Sequence, residues 1–189
     1  ALLSPSIAGE GYNIDISIRL LAFMLKHRIG TTAENQVSFS PADLAADNIV
    51  AISSLPGSLG RTCHVTRDTH ATMLDVTTIL ARLTGQDFEN FALDDFVPEV
   101  IERCRKDDPL FPLLNFLVRS VSNITAMEFK RYDNSNFQRF RRQAPQGRED
   151  PSLEDVVAGI LGFMRGHGIV EDGPRLVSLG SDQRNCPHA

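Results

Sequence analysis

The sequence contains no long apolar run and few cysteines, and each shortage excludes a class of protein. Its longest uninterrupted apolar run, Leu20 to Leu25, has six residues and is followed by three basic ones. A transmembrane helix needs about 20 apolar residues, so the sequence predicts no membrane span. Three cysteines, at positions 63, 104 and 186, are too few for a disulfide scaffold, although one bridge could form.

Several motifs of catalysis and binding are also missing. The chain has no glycine-rich phosphate-binding loop, no Gly-x-Ser-x-Gly nucleophile turn and no paired-cysteine motif. Its formal charge of −5 argues against a surface built as a whole for nucleic acid or for an anionic membrane. The sequence leaves the compartment and the oligomeric state open.

The remaining composition is that of an ordinary globular protein. Hydrophobic residues make up 42% of the chain and charged residues 23%, which is typical of a folded domain rather than a disordered one. A length of 189 residues is enough to bury a sizeable core. We therefore expect one domain over residues 1–189, with a polar tail over residues 176–189.

Caps and apolar periodicity predict about six helices and no set of alternating strands, and hence an all-α fold. Gly30 and Gly85 mark the ends of the first and third helices, and Ser40 caps the second. Ser152 and Asp155 form a capping-box pair at the start of the sixth. The predicted helices cover residues 17–29, 40–55, 68–84, 94–108, 112–124 and 152–166.

The segment from residue 130 to residue 148 has six basic residues and one acidic residue, with Tyr132, Phe137 and Phe140 between them. Such a segment could bind phosphates and stack on bases. A basic loop over about residues 130–150, or else a solvated linker or surface helix, is the simpler interpretation. Acidic residues between positions 87 and 108 could also neutralise it, so the sequence disfavours nucleic acid as a partner.

Cys63, His64, Asp68 and His70 form the densest group of chemically capable side chains. Thiolate, imidazole and carboxylate all bind zinc or iron well. Their spacing matches no metal motif, so we predict no metal site, and a structural loop with a helix cap is the simpler interpretation. His64 and His70, together with Glu128 near the fifth helix, are the candidates for a general acid or base.

Cys186 followed by Pro187 is the candidate cofactor-binding position, because a cysteine thiolate can hold haem iron. It lies three residues from the end of the given sequence, where disorder is usual. A free thiol or a disulfide partner is therefore the simpler interpretation.

Several short stretches between residues 11 and 175 occur in a recognisable order. They are Gly11-Tyr12, Ile16-Ser17, Leu44 with Asn48-Ile49-Val50, Thr66-Arg67-Asp68, the segment from Gly85 to Phe111, Ile160-Leu161 and the segment from Gly168 to Arg175. This order resembles the chloroperoxidase and unspecific peroxygenase family of haem-thiolate proteins. The resemblance implies an all-α scaffold with an apolar pocket.

The chain departs from that family at the positions where the family does its chemistry. Ser4-Pro5-Ser6 stands where the family has Pro-Cys-Pro, and a serine hydroxyl binds iron much less well than a thiolate. Ala51-Ile52-Ser53 stands where the family has Glu-His-Asp, and the distal glutamate would fall near Ile124, one turn from Glu128. The resemblance then implies a scaffold that has kept its pocket and lost its peroxide chemistry.

Three functions stay open at this point. The favoured one is an enzyme that binds a small apolar molecule between helices and uses acid–base chemistry without haem. The second is a haem-thiolate peroxidase or peroxygenase with Cys186 as an atypical ligand. The third is a non-enzymatic helical module that binds nucleic acid or a partner through residues 130–148. The cofactor is thus unknown, with haem as one candidate.

Overall fold

The computed structural model describes residues 2–5, 15–34, 36–67, 70–119, 133–144 and 149–171. The helices are α1 Ile16–His27, α2 Ala42–Ser53, α3 Met73–Thr84, α4 Leu93–Arg103, α5 at residues 114–119, α6 Ser135–Gln143 and α7 Leu153–Gly166. The strands are β1 Leu2–Ser4, β2 Ile29–Thr31, β3 Gln36–Val37, β4 Phe39–Pro41, β5 Ala71–Thr72 and β6 Glu89–Phe91. Short 3₁₀ turns occupy Pro56–Ser58 and Phe111–Leu113.

The strands pair into three two-stranded sheets, so the expected all-α fold is wrong. Strand β1 runs parallel to β4, β2 runs parallel to β6, and β3 runs antiparallel to β5. Each strand has only two or three residues, which is too short for the period-two alternation that reveals a strand in sequence. Both β2 and β4 are also buried at every position, so neither strand has the alternation of buried and exposed positions that produces such a pattern.

The main core forms where α1, α3, α4 and α7 pack together. Leu80 and Val76 of α3 are fully buried against it, as are Phe23 of α1 and Phe163 of α7. Each such side chain contributes roughly 1.5–3 kcal/mol by leaving water. This packing fixes the relative positions of the helices that surround the site described below.

Several helix ends follow directly from capping chemistry. Thr72 and Asp75 form a capping box at the start of α3, and Ser152 and Asp155 form one at the start of α7. Because of the first of these boxes, α3 begins at Met73 and not at residue 68 as predicted. Gly85 ends α3 in the left-handed conformation, with φ of 68°, which a glycine adopts without steric cost.

The end of α1 differs from the prediction. Arg28, and not Gly30, takes the left-handed position with φ of 55°, and its N–H donates to the carbonyl of Met24. Gly30 instead lies in β2, where a Cβ would stand 2.2 Å from Oδ1 of Asn90 on the paired strand β6. The glycine here leaves room for the side chain of Asn90, whose tip lies over β2, and it does not serve a turn.

The basic segment is not a loop throughout, because residues Ser135–Gln143 form α6. Phe137 and Phe140 of this helix are each 2% exposed, and they form a small second apolar cluster with Ile52 of α2. In α2 itself, Ile52 is buried, whereas Ile49 is 52% exposed. The predicted tail over residues 176–189 and the end of the fifth helix lie outside the described residues.

Within the described ranges, the helices are too short and not apolar enough to cross a bilayer. Helix α7, for example, has 14 residues, whereas spanning needs about 20.

Candidate functional site

An apolar cavity of about 180 Å³ lies between α1, β2, α3, α4 and α5. Its lining side chains come from these elements, from β3 and from the segment between β2 and β3, and all but one of them are apolar. They are Leu20, Thr31, Ala33, Val37, Met73, Leu93, Phe96, Val97, Val100 and Leu117. The cavity therefore forms where the core helices diverge from the short strand β2.

The cavity has a buried floor and a half-buried rim. Thr31, Phe96 and Val100 are 3–6% exposed and form the floor. The other lining residues, including Leu20 and Val97, are only partly buried. A ligand held at the floor could consequently extend past the rim into solvent.

The only polar side chain in the lining is that of Thr31, and its oxygen already accepts a hydrogen bond. The N–H of Ala33 donates to Oγ1 of Thr31 over 3.1 Å. The lining contains no titratable side chain. The cavity can therefore hold an apolar group but offers no acid, base or nucleophile of its own.

A buried carboxylate, Asp108, ties the α4–α5 connection to the end of α1. Its side chain is fully buried and accepts from Nζ of Lys26 at 2.7 Å and from the N–H of Arg105 at 2.6 Å. Nε2 of His27 lies 3.2 Å from each of its oxygens. We call Asp108, Lys26, His27 and the Arg105 N–H the Asp108 clamp.

The Asp108 clamp determines the ionisation of its carboxylate. Burial raises the pKa of Asp108, but hydrogen bonds from Lys26, from the Arg105 N–H and from His27 outweigh it, so the pKa lies below its usual value. The same contacts raise the pKa of Lys26. Cys104 is adjacent to this clamp in sequence. The pKa of its thiol is raised, because the thiol is buried and lies near the negative charge of Asp108. That thiol is consequently a poor nucleophile.

A larger polar cleft of about 670 Å³ borders the same connection. Basic side chains of Arg19, Lys26 and Arg28 face it, together with acidic Asp107 and Glu171, so its charge is nearly balanced. Arg19 also donates to the carbonyl oxygen of Pro109 at 2.6 Å, which is a second tie between α1 and the α4–α5 connection. Helix α1 thus contributes to both the polar cleft and the apolar cavity.

Of the sequence-predicted site residues, His64 and His70 do not line the cavity. His64 is exposed in the extended segment before residue 67. The pKa of Asp133, near α6, is lowered mainly by hydrogen bonds from Ser135 and to a smaller extent by the charge of His64. His70 is half-buried just before β5. Glu128 and Cys186 lie outside the described residues. The catalytic roles of His64, His70 and Glu128 and the cofactor role of Cys186 therefore stay predictions.

The neighbourhood of Cys63 is mainly apolar. Cys63 is half-buried against Ile52 and Phe137, and it lines a separate groove of about 480 Å³. Within the described part of the chain, no three His, Cys, Asp or Glu side chains are grouped so that they could hold a metal ion.

Helix α6 uses its two phenylalanines and Arg141 in contacts within the chain. Phe137 and Phe140 are buried, so they are not available to stack on bases, which needs exposed rings. Arg141 donates to the Asp150 carboxylate at 2.9 Å. The hypothesis that residues 130–148 form a non-enzymatic nucleic-acid module therefore lacks support in the described residues.

Sequence reasoning identified several cavity residues as core residues instead. Met73, Val97, Val100 and Leu117 all belong to apolar stripes of predicted helices. An apolar stripe looks the same in sequence whether it packs against another helix or lines a cavity, because both need the same side chains on one helix face. Their convergence with Thr31 depends on the pairing of β2 with β6, which the sequence pattern did not reveal.

The fold resembles that of reductase domains of biosynthetic enzymes. It superposes on the terminal R domain from the myxalamid PKS-NRPS biosynthetic pathway with a TM-score of 0.79 at 16% identity, covering 92% of this chain and 44% of that one. It superposes on the PhqB reductase domain from Penicillium fellutanum with a TM-score of 0.53 at 15% identity, covering 86% and 43%. The chain thus spans less than half the length of either structure. No protein-family model and no curated protein matches the sequence.

This likeness overturns the resemblance to the chloroperoxidase and peroxygenase family. The neighbours in fold are reductase domains, so the favoured hypothesis of a haem-free acid–base enzyme on a peroxygenase-like scaffold is wrong. The alternative of a haem-thiolate peroxidase or peroxygenase with Cys186 as ligand is wrong for the same reason. Within the described ranges, several residues of the stretches that suggested the family have ordinary structural roles: Gly85 caps α3, and Leu44 and Ile160 are buried apolar residues. Such roles recur in any fold with amphipathic helices, so their order alone is a weak guide to ancestry.

Proposed function

We propose that this chain forms the substrate-binding part of a reductase domain in a biosynthetic pathway. The observation that carries the proposal is the fold likeness over 92% of the chain to the myxalamid R domain. Because the likeness covers only 44% of that domain, the comparison concerns one part of a reductase rather than the whole. The apolar cavity gives this part a place to hold the apolar portion of a substrate.

The requirements of a reduction indicate which groups this chain would supply and which it would not. A hydride is usually supplied by a nicotinamide or flavin cofactor, whose phosphates bind to glycine-rich turns. This sequence has no such turn, and the cavity lining has no group that could donate a proton. We therefore expect the hydride donor and the proton donor to be held mainly by residues outside this chain.

The sequence predicted a small apolar molecule as the partner. We now propose that the cavity holds only the apolar group of a larger, reducible compound. The carbonyl that accepts the hydride would lie beyond the cavity rim, since the floor offers a developing oxyanion only one neutral donor, the Thr31 hydroxyl. The residues of the rim, among them Leu20 and Val97, would then orient the substrate without taking part in the chemistry.

The test is a reductase assay on the native polypeptide that contains these residues. Aldehydes and acyl thioesters with a short alkyl chain are offered with NADPH or NADH, and oxidation of the nicotinamide is followed by absorbance. We expect oxidation that depends on the carbonyl compound and that is much slower when the alkyl chain ends in a carboxylate. If neither nicotinamide is oxidised with any carbonyl substrate, the proposed function is wrong.

A further inference from the structure

We infer that the apolar cavity binds one short alkyl chain or single aromatic ring, and that it rejects a hydroxyl group at the same position. The inference rests on the proposed function for the claim that this group belongs to a substrate. Its physical basis is the size, lining and burial of the cavity.

The volume sets the size of the bound group. The cavity measures about 180 Å³, which is slightly larger than the roughly 150 Å³ that a buried apolar cavity needs to take up benzene. One aromatic ring, or an alkyl chain of about six carbons, would fill such a space. Two fused rings would have to project past the rim.

The lining sets the polarity of the bound group. Nine of the ten lining side chains are apolar, and Oγ1 of the remaining one, Thr31, accepts from the Ala33 N–H over 3.1 Å. A ligand hydroxyl at the floor would exchange its several hydrogen bonds to water for at most those of the Thr31 hydroxyl, whose oxygen already accepts from Ala33. Burial of an unpaired polar group is unfavourable, so the cavity should discriminate against it.

The rim explains how a longer molecule could still enter. Met73 is the first residue of α3 and is half-buried, and its unbranched side chain can adjust to a ligand. Val97 and Leu117, from α4 and α5, are also half-buried. An amphiphile could therefore place its apolar end at the floor and keep its polar remainder outside.

The experiment measures binding of toluene and phenol to the 189-residue protein by NMR titration, with no hydride donor present. We expect saturable binding of one toluene per chain, and phenol weaker by at least about fivefold, the lower limit for an unpaired buried polar group. Equal affinity for toluene and phenol, or no saturable toluene binding, would overturn the inference.

Two matched variants locate the site. Ala33→Phe places a ring in the cavity at a half-buried loop position, and Ala46→Phe makes the same change at an exposed position of α2 that does not line the cavity. Toluene affinity should fall at least about tenfold in the first variant, as expected for a filled site, and stay unchanged in the second. Equal affinities in both would contradict the inference. If Ala33→Phe does not fold, the comparison of toluene with phenol on the wild-type protein decides.

Because these measurements need no reduction, they separate the two proposals. Hydrocarbon binding by a protein whose native polypeptide reduces no carbonyl compound would leave the cavity assignment standing and remove the reductase. Reduction without hydrocarbon binding would leave the reductase proposal standing and remove the cavity assignment.

Discussion

The Asp108 clamp should be a main determinant of stability, and replacing Asp108 by alanine tests this. The side chain is fully buried and accepts from the backbone N–H of Arg105 at 2.6 Å and from Lys26 at 2.7 Å. Its removal leaves the Arg105 N–H without this partner and His27 without its carboxylate. A buried group that loses its partner costs about 1–3 kcal/mol, and a hydrogen bond to a charged group contributes about 1.5–3 kcal/mol.

Since Lys26 is 45% exposed, water can replace much of its share, and these terms overlap. We therefore expect Asp108→Ala to lower the unfolding free energy by about 3 kcal/mol. For a protein of this size that corresponds to a fall in Tm of roughly 6–12 °C. Thermal and urea unfolding followed by circular dichroism would measure both quantities.

Asp107→Ala is the matched control. Asp107 is the adjacent carboxylate and also bonds Lys26, at 3.1 Å, but its side chain is 78% exposed. Exposed ion pairs contribute little, so this variant should unfold close to the wild type. Equal losses in the two variants would show that burial of Asp108 is not what makes the clamp stabilising.

The pH dependence of the unfolding free energy gives a second check on the stabilising effect of the Asp108 clamp. The pKa of Asp108 is lower in the folded protein than its usual value, so the clamp stabilises the fold at any pH above about 4, the unfolded pKa of an aspartate. Its contribution should be lost as the pH falls further through the folded pKa. The difference between wild type and Asp108→Ala should thus shrink in acid, and a difference that stays constant down to pH of about 2 would refute the reasoning.

Four further substitutions test other local features by the same unfolding measurements. Gly30→Ala should lower Tm because its Cβ would lie 2.2 Å from Oδ1 of Asn90, and the double variant with Asn90→Ala should recover most of the loss. In Gly162→Ala the new Cβ meets nothing within 4 Å, so this variant should stabilise α7 by about 0.5–1 kcal/mol. Ser152→Ala should cost about 1 kcal/mol by removing the cap of α7, and a neutral result would refute that role. Arg67→Lys should cost about 1–3 kcal/mol because the buried guanidinium donates to two backbone carbonyls, and an unchanged Tm would contradict this.

Local signals in the sequence predicted the helices well where a side chain acts on its own backbone. The Ser152–Asp155 capping box and the Gly85 cap are both confirmed, because such contacts span only a few residues. The apolar stripe of α7 is also confirmed, with Val157, Ile160 and Met164 buried. These features depend on helical periodicity alone.

Features that depend on distant residues were not predictable in this way. The role of Gly30 depends on Asn90, sixty positions away, and the exposure of Ile49 depends on which partners cover α2. For the segment containing Phe137 the sequence left a loop, a solvated linker and a surface helix open, because its basic residues hide a short apolar face. That face is recognisable only once Ile52 lies opposite it. The apolar cavity is of the same kind, since it is a gap between elements rather than a pattern within one.

The most direct test of the central claim is steady-state reduction of a short-chain aldehyde by the native polypeptide, compared between wild type, Ala33→Phe and Ala46→Phe. If the cavity holds the apolar end of the substrate, Ala33→Phe should raise KM by about tenfold or more, while Ala46→Phe should match the wild type. Identical kinetics in all three proteins would show that the substrate does not use this cavity. Absence of any nicotinamide-dependent reduction would contradict the assignment of the chain to a reductase.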